Sequence, residues 1–254
     1  MEASLAAKSI FLTGCSRGIG LEFVKQLLKL PNKPKYIFAT CRDVEKANEL
    51  KDLAKKNPEV YLHNLDVTDF ESFPSVVSWV KEKVGDGGLN LLINNAGIFD
   101  VSALDVISRE KMKQSFEVNC VAPLMLARAF VPLLKKASSA AGGDNGMMSC
   151  SKACIVNVTS RMGSIEDNTS GGHYSYRASK AALNMVSKSL SVDLKSAGIL
   201  VGVVHPGWVQ TDMGGANALI TTEVSVKGLI KVLSSLNQSD AGFFKSFDGS
   251  TIPW

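Results

Sequence analysis

The chain lacks the features that mark several common classes of protein. Its 254 residues include only three histidines and five cysteines, and the formal net charge is +4. The cysteines, at 15, 41, 120, 150 and 154, are odd in number and scattered, which excludes the framework of a disulfide-stapled secreted domain. Cys150, Cys154 and His173 come nearest to a metal set, but no fourth ligand has suitable spacing, so no metal is expected. Lysines are spread along the chain and form no block, which argues against a nucleic-acid partner. No uninterrupted apolar run approaches the ~20 residues needed to cross a bilayer, so no membrane span is expected. Met1 to Lys8 has no long apolar core after a basic start, so it does not read as a secretory signal. A cytoplasmic protein is the expectation.

What is present is ordinary core-forming material: 45% hydrophobic and 20% charged residues, suited to a sizeable globule. Short β-rich runs near 9–13, 36–40, 60–64, 89–94, 153–158, 200–205 and 243–247 alternate with helical patterns. That alternation is the mark of parallel strands joined by crossover helices. Leu89 to Ile93 and Leu200 to Val204 are almost wholly apolar, as strands covered on both faces are. The prediction is an α/β chain of the Rossmann type: a doubly wound parallel sheet of about seven strands, helices on both faces, in one domain over 1–254. Ala137 to Lys152 breaks the pattern with Gly142-Gly143 and Asn145-Gly146 and reads as a flexible surface loop.

Two local patterns carry chemistry. The first is Thr13-Gly14-Cys15-Ser16-Arg17-Gly18-Ile19-Gly20, which follows an apolar strand and precedes the helical pattern Leu21, Val24, Leu27, Leu28. Glycines in such a turn let the backbone approach a pyrophosphate, whose charge is favoured at a helix N-terminus. The second is Tyr176-Arg177-Ala178-Ser179-Lys180, where a spacing of four puts a phenol and an ammonium on one helix face. Free tyrosine ionises near pH ~10, and each unit of downward shift requires ~1.36 kcal/mol of preferential phenolate stabilisation. A neighbouring lysine charge is expected to supply it and make Tyr176 a general acid.

These residues resemble the short-chain dehydrogenase/reductase family over essentially the whole chain, with further signatures in order at Asp66-Val67, Asn94-Asn95-Ala96-Gly97, Asn119, Ser160 and Pro206-Gly207. Within the family, His205 to Val209, Thr211 to Gly215 and the Pro253-Trp254 ending look most like sniffer-type carbonyl reductases and C-factor-like proteins. The resemblance implies a catalytic set of Asn119, Ser160, Tyr176 and Lys180. Ser160 also lies at the carboxyl end of an alternating strand, where ligands bind in open α/β sheets, and is preferred over Thr159 and Ser164. Pro123 lies four residues after Asn119 in a long helical run, 111–136. A proline there cannot bond the Asn119 carbonyl, which frees it to hold a relay water. Tyr174 is expected across the helix, lining the pocket. His205 is expected to cap a strand, and His63 and His173 look unremarkable.

For the cofactor, the resemblance implies that Gly14, Ser16, Arg17, Gly18 and Ile19 hold the phosphates, and that Asp66 and Val67 meet the adenine. Asn94, Ala96 and Gly97 would line the ribose and central channel. Lys180 would bind the nicotinamide ribose next to Tyr176, and Pro206, Gly207, Val209 and Thr211 would cradle the carboxamide. About twenty residues past the glycine turn, where a carboxylate would bind a ribose 2′-hydroxyl, Cys41 is followed by Arg42. Arg17 and Arg42 can grip a 2′-phosphate, so NADP(H) is favoured and NAD(H) remains possible. Asp43 can weaken this by pairing with Arg42. A lid is expected over 213–224, with Gly214-Gly215 as its hinge. The implied activity is NADPH-dependent reduction of aldehydes or ketones. An NAD-dependent alcohol or steroid dehydrogenase and a cofactor-binding signalling protein are the alternatives. A homodimer or homotetramer pairing helices that begin near Glu110 and Ser175 is the implied assembly.

Overall fold

The computed structural model describes residues 5–140 and 148–254. Its centre is a seven-stranded sheet in the order β3-β2-β1-β4-β5-β6-β7, parallel throughout. The strands are β1 (Ser9–Leu12), β2 (Tyr36–Cys41), β3 (Val60–Asn64), β4 (Leu91–Asn94), β5 (Cys154–Val158), β6 (Leu200–His205) and β7 (Phe244–Ser246). Each starts and ends within two residues of its sequence-based span. The helices are α1 (Gly18–Leu27), α2 (Asn48–Lys56), α3 (Phe73–Val84), α4 (Arg109–Phe116), α5 (Ala122–Ala140), α6 (Tyr174–Asp193) and α7 (Thr222–Ser235).

Period-two alternation in the strands divides the interior into two apolar layers. Ile10 and Leu12 point into one layer with Phe23, Leu27, Leu50 and Leu229, from α1, α2 and α7. Phe11 points into the other with Val76, Val80, Phe130 and Leu134, from α3 and α5. Burying Phe11 or Phe130 fully is worth about 1.5–3 kcal/mol each, and their rings meet at 4.6 Å. The order of the strands reverses between β1 and β4. The two chains leaving those strands diverge and open a crevice at the carboxyl edge, the place where ligands bind in doubly wound sheets.

The continuous helical stretch Arg109–Ala140 is long and apolar enough to cross a bilayer by composition, with a mean hydropathy of 1.4 over its most apolar window. Half of that window is buried against the sheet, as expected of a core helix.

Two segments differ from expectation. Ala137 to Ala140 form the last turn of α5, because Ala137 and Ser138 still bury against the body. The 141–147 part of the expected loop lies outside the described residues, and Met148 and Cys150 beyond it are buried. The expected lid, 213–224, belongs to a structured loop over 208–220. It is closed by a bridge between Val209 and Ile220 and by a Gln210 N–H bond to the Ile220 carbonyl at 2.8 Å. Residues 222–224 are already the first turn of α7, capped by the Thr221 hydroxyl. A β-carbon at Gly214 would lie 2.0 Å from the Val209 carbonyl oxygen, so close packing requires glycine there, and Gly215 beside it has φ +75° in open space.

Candidate active site

The glycine turn is shaped by its contacts with the end of β4. Gly14 has φ +72°, and a β-carbon there would come within 3.0 Å of the Ala96 Cα. Gly18 has φ +58°, a left-handed conformation that glycine adopts without penalty. Thr13 Oγ1 accepts from the backbone N–H groups of Asn95 and Ala96, both at 3.0 Å, and Asn95 Nδ2 donates to the Thr13 carbonyl at 2.9 Å. The two rims of the crevice are thereby fixed to each other. The first turn of α1 has no capping side chain, since Arg17 at the N-cap position makes none. Its N–H groups and dipole suit a phosphate.

Asn119 lies at the next layer. The helical run does not simply kink at Pro123; it widens into a π-helical turn, Glu117–Val121, between α4 and α5. Inserting one residue re-aims side chains, and such turns recur at functional sites. Fully buried, Asn119 accepts from the Ile98 N–H at 2.9 Å and donates to the Ile98 carbonyl and to Ser179 Oγ, both at 3.0 Å. It therefore clamps the chain after β4 to α6. A β-carbon on Gly97 would come within 3.1 Å of Asn119 Oδ1 and 3.6 Å of Lys180 Nζ, so glycine is what lets these groups converge.

A buried polar ladder sets α6 against β5. Asn157 Nδ2 donates to Ser187 Oγ at 2.8 Å, and Thr159 Oγ1 donates to Asn184 Oδ1 at 2.7 Å. Lys180 Nζ donates to the Val158 carbonyl at 2.9 Å. Thr159 is thus spoken for, and Ser164 donates to the Trp254 carbonyl at 3.3 Å. Ser160, one residue past Thr159, accepts from the Met162 N–H at 3.1 Å and keeps its own proton to give. Its hydroxyl faces Tyr176.

Electrostatically, the site departs from the expectation of a lowered phenol. Burial pushes Tyr176 up to about 12, and the Ser160 hydroxyl opposes that only partly. Burial likewise pulls Lys180 down to about 8. The ammonium lies 5.8 Å from the centre of the Tyr176 ring and bonds to a backbone carbonyl, so it does not offset the phenol's loss of solvent. The phenol in this state is firmly protonated, a proton held in reserve.

The expected cofactor residues divide into two groups. Gly14, Ser16, Arg17, Gly18 and Ile19 form the uncapped turn, Ala96 packs against Gly14, and Gly97 faces Asn119 and Lys180. Asn94 is different: its side chain is buried and donates to Asn157 Oδ1 at 2.7 Å, leaving its main chain for a ligand. Asp66 Oδ1 accepts from the Thr68 N–H at 2.9 Å and the Thr68 hydroxyl at 2.8 Å, which hold its carboxyl low, with the Arg42 charge adding to the effect. Asp43 pairs with Lys46 at 2.9 Å and not with Arg42, which is exposed. Arg17 pairs with Asp212 at 3.0 Å, both about three-quarters exposed. Pro206, Gly207, Val209 and Thr211 lie at the mouth of the 208–220 loop, with Thr211 Oγ1 accepting from the Gly214 N–H at 3.1 Å. Val67 sits beside Thr13, Asn94 and Ala96 in a narrow cleft.

A family model described as short chain dehydrogenase matches residues 8–219. The chain is a member of that family. The carbonyl reductase Sniffer of D. melanogaster is 42% identical, covers 98% of this chain and 100% of its own, and superposes with a TM-score of 0.95. An NADPH-bound carbonyl reductase from chicken fatty liver is 43% identical, with 100% and 96% covered and a TM-score of 0.96. The C-signal protein of Myxococcus xanthus is 39% identical over 66% of this chain and 94% of its own. This short-chain dehydrogenase is therefore an oxidoreductase closely related to carbonyl reductases.

Sequence reasoning gave no structural role to Asn95, Ser179 and Asn184 of the short-chain dehydrogenase site, and the structure adds contacts for residues it did single out. Asn95, Ser179 and Asn184 make the bonds that fix the two rims and α6. Phe99 lies edge-on to Tyr176, ring centres 4.8 Å apart. His173 is the N-cap of α6, with φ +49°. Tyr174 begins that helix, 40% exposed. His205 has a buried Nδ1 without a partner, and burial pulls it down to about 4, so it is neutral at physiological pH. Among the described residues no three His, Cys, Asp or Glu side chains gather as a metal site.

Proposed function

We propose that this enzyme reduces the carbonyl group of aldehydes or ketones, with Tyr176 giving the proton and NADPH as the preferred cofactor. The observation that carries the reading is the convergence of Ser160, Tyr176, Lys180 and Asn119 at the carboxyl edge of β5: all four are buried, Ser160, Lys180 and Asn119 are each held by hydrogen bonds to their surroundings, and the Ser160 hydroxyl faces Tyr176. The residues fit a phosphorylated dinucleotide: an uncapped helix start, a glycine turn that leaves backbone N–H groups open, and two exposed guanidiniums, Arg17 and Arg42. Bound NADPH would supply a hydride.

The chain's own groups do the rest. Ser160 donates its hydroxyl proton in a hydrogen bond to the substrate oxygen and favours the negative charge that grows there. Tyr176, protonated because it is buried, transfers its proton to that oxygen. Lys180, whose pKa burial lowers to about 8 but which is still charged at neutral pH, stabilises the phenolate left behind. Asn119 keeps the π-helical turn and the chain after β4 in place. The relatives support the direction: two are carbonyl reductases at over 40% identity, and one is described as NADPH-bound.

A panel of aldehydes and ketones with NADPH and NADH side by side, followed at the nicotinamide absorbance, tests the reading. NADPH consumption with several carbonyl compounds is expected. Turnover with NADH alone would overturn the cofactor preference, and no turnover at all would overturn the activity. A signalling role is the second reading, drawn from the C-signal relative. A biological effect that survives Tyr176→Phe would favour it.

A further inference from the structure

Immediately before the helix that carries Tyr176, three successive residues, Gly171, Gly172 and His173, have positive φ: +62°, +65° and +49°. His173 is the only non-glycine residue with positive φ among the described residues. Carbon-bearing side chains crowd the backbone in that conformation, and such outliers persist where the surroundings hold them, often beside functional groups. Glycine would fit the turn without strain, as it does at the two preceding positions.

The imidazole is not held there by a polar contact. His173 Nδ1 is buried with no hydrogen-bond partner. Losing hydration without gaining a bond is a second cost. What the ring contacts is Phe99, at 5.3 Å between centres, and Phe99 in turn lies edge-on to Tyr176, at 4.8 Å and 83°. The backbone of the same residue joins the same pieces. His173 N–H donates to the Ser102 carbonyl, which follows Phe99 by three residues, at 2.9 Å, and its carbonyl accepts from the Arg177 N–H, next to Tyr176, at 2.9 Å.

We propose that His173 is a positioning residue for Tyr176, acting through Phe99: the imidazole holds the Phe99 ring edge-on against the phenol ring and so fixes the angle at which Tyr176 presents its hydroxyl. The backbone strain and the orphaned nitrogen are the costs of putting a ring, and not a glycine, at that position. The kinetic part of this proposal rests on Tyr176 as the proton donor; the contact itself does not.

Three variants separate ring from backbone. His173→Gly removes the ring and relieves the strain, His173→Phe keeps a ring and removes the orphaned nitrogen, and Phe99→Ala removes the intermediary. Protein labelled with 3-fluorotyrosine carries a fluorine on each of four tyrosines, and the Tyr176 resonance is the one missing from Tyr176→Phe. That resonance is expected to shift in His173→Gly and in Phe99→Ala, and to return towards its original position in His173→Phe. In turnover, kcat of His173→Gly is expected to fall on the order of tenfold, within the ~100-fold that misplacement by an ångström costs. Its melting temperature should not fall and its NADPH dissociation constant should hold, and His173→Gly should add no further loss of kcat on the Phe99→Ala background. An unmoved Tyr176 resonance in His173→Gly, a His173→Phe variant that restores nothing, or additive losses in the double variant would each overturn the proposal. If the wild type reduces no carbonyl compound, the assigned function fails while the fluorine spectra still decide the contact.

Discussion

Lys180 is anchored by a hydrogen bond from its Nζ to the carbonyl of Val158, two residues before Ser160, at 2.9 Å. The bond ties the basic group of the site to the strand that ends in its hydroxyl. Thr159 to Asn184 and Asn157 to Ser187 extend the tie along α6. A slide of the helix by one turn would break all three buried bonds, so the placement of Tyr176 beside Ser160 is set by main-chain and polar side-chain geometry within the fold itself.

Asn184 is the rung whose loss should be felt most. It accepts from Thr159 Oγ1 and donates to the Gly163 carbonyl at 3.1 Å. Asn184→Ala leaves buried groups unpaired, a cost of ~1–3 kcal/mol, and a protein of this size loses about 2–4 °C of Tm per kcal/mol. Thermal unfolding checks this, and an unchanged Tm would mean that the ladder contributes nothing.

The pH dependence follows from Lys180. Its folded value of about 8 lies below the ordinary 10.5, with burial as the cause, so the amine is charged below about 8 and neutral above it. NADPH-dependent kcat/KM, which reports the free enzyme, is expected to fall as pH rises through that value. Lys180→Met should remove this limb. The stability effect has the opposite sense: the unfolded chain binds more protons between about 8 and 10.5, so the contribution of Lys180 to stability rises with pH across that window. A kcat/KM profile that stays flat through pH 8 would contradict the assignment.

Arg42 forms no salt bridge among the described residues: Asp43 pairs with Lys46, and Asp66, which feels the Arg42 charge, is bonded to Thr68. Charge-assisted hydrogen bonds are worth ~1.5–3 kcal/mol, so Arg42→Ala should raise KM for NADPH by roughly 10- to 100-fold and leave KM for NADH little changed. Arg17→Ala should act in the same direction, less strongly, since its guanidinium already spends Nε on Asp212. Initial-rate kinetics with both cofactors measure the selectivity directly.

Much of this site was legible from sequence because its signals are local. The strand-to-helix glycine turn, the alternation of Ile155 to Val158 before Ser160, and the four-residue step from Tyr176 to Lys180 each lie within a short stretch of chain, so periodicity places them on their elements and the family resemblance supplies their roles. The missed features depend on tertiary contact. Whether the Asn119 run kinks or widens into a π-helical turn depends on how α4 and α5 seat against the sheet. The extension of α5 to Ala140 follows from burial of Ala137 and Ser138, which their small polar neighbours do not announce. The charge state of Tyr176 needed burial as well as spacing: the lysine is near, as expected, yet desolvation outweighs it. His173 gave no sign at all, since a left-handed histidine is recognised only by its dihedral angles.

The direct test of the central claim is the turnover of Tyr176→Phe with saturating NADPH and a carbonyl substrate of the wild type. Removing one hydroxyl should lower kcat by about 10²–10⁴-fold, the range of general acid catalysis, with NADPH affinity and Tm held near those of the wild type. A variant that reduces the substrate at the wild-type rate would show that the buried phenol is not the source of the proton.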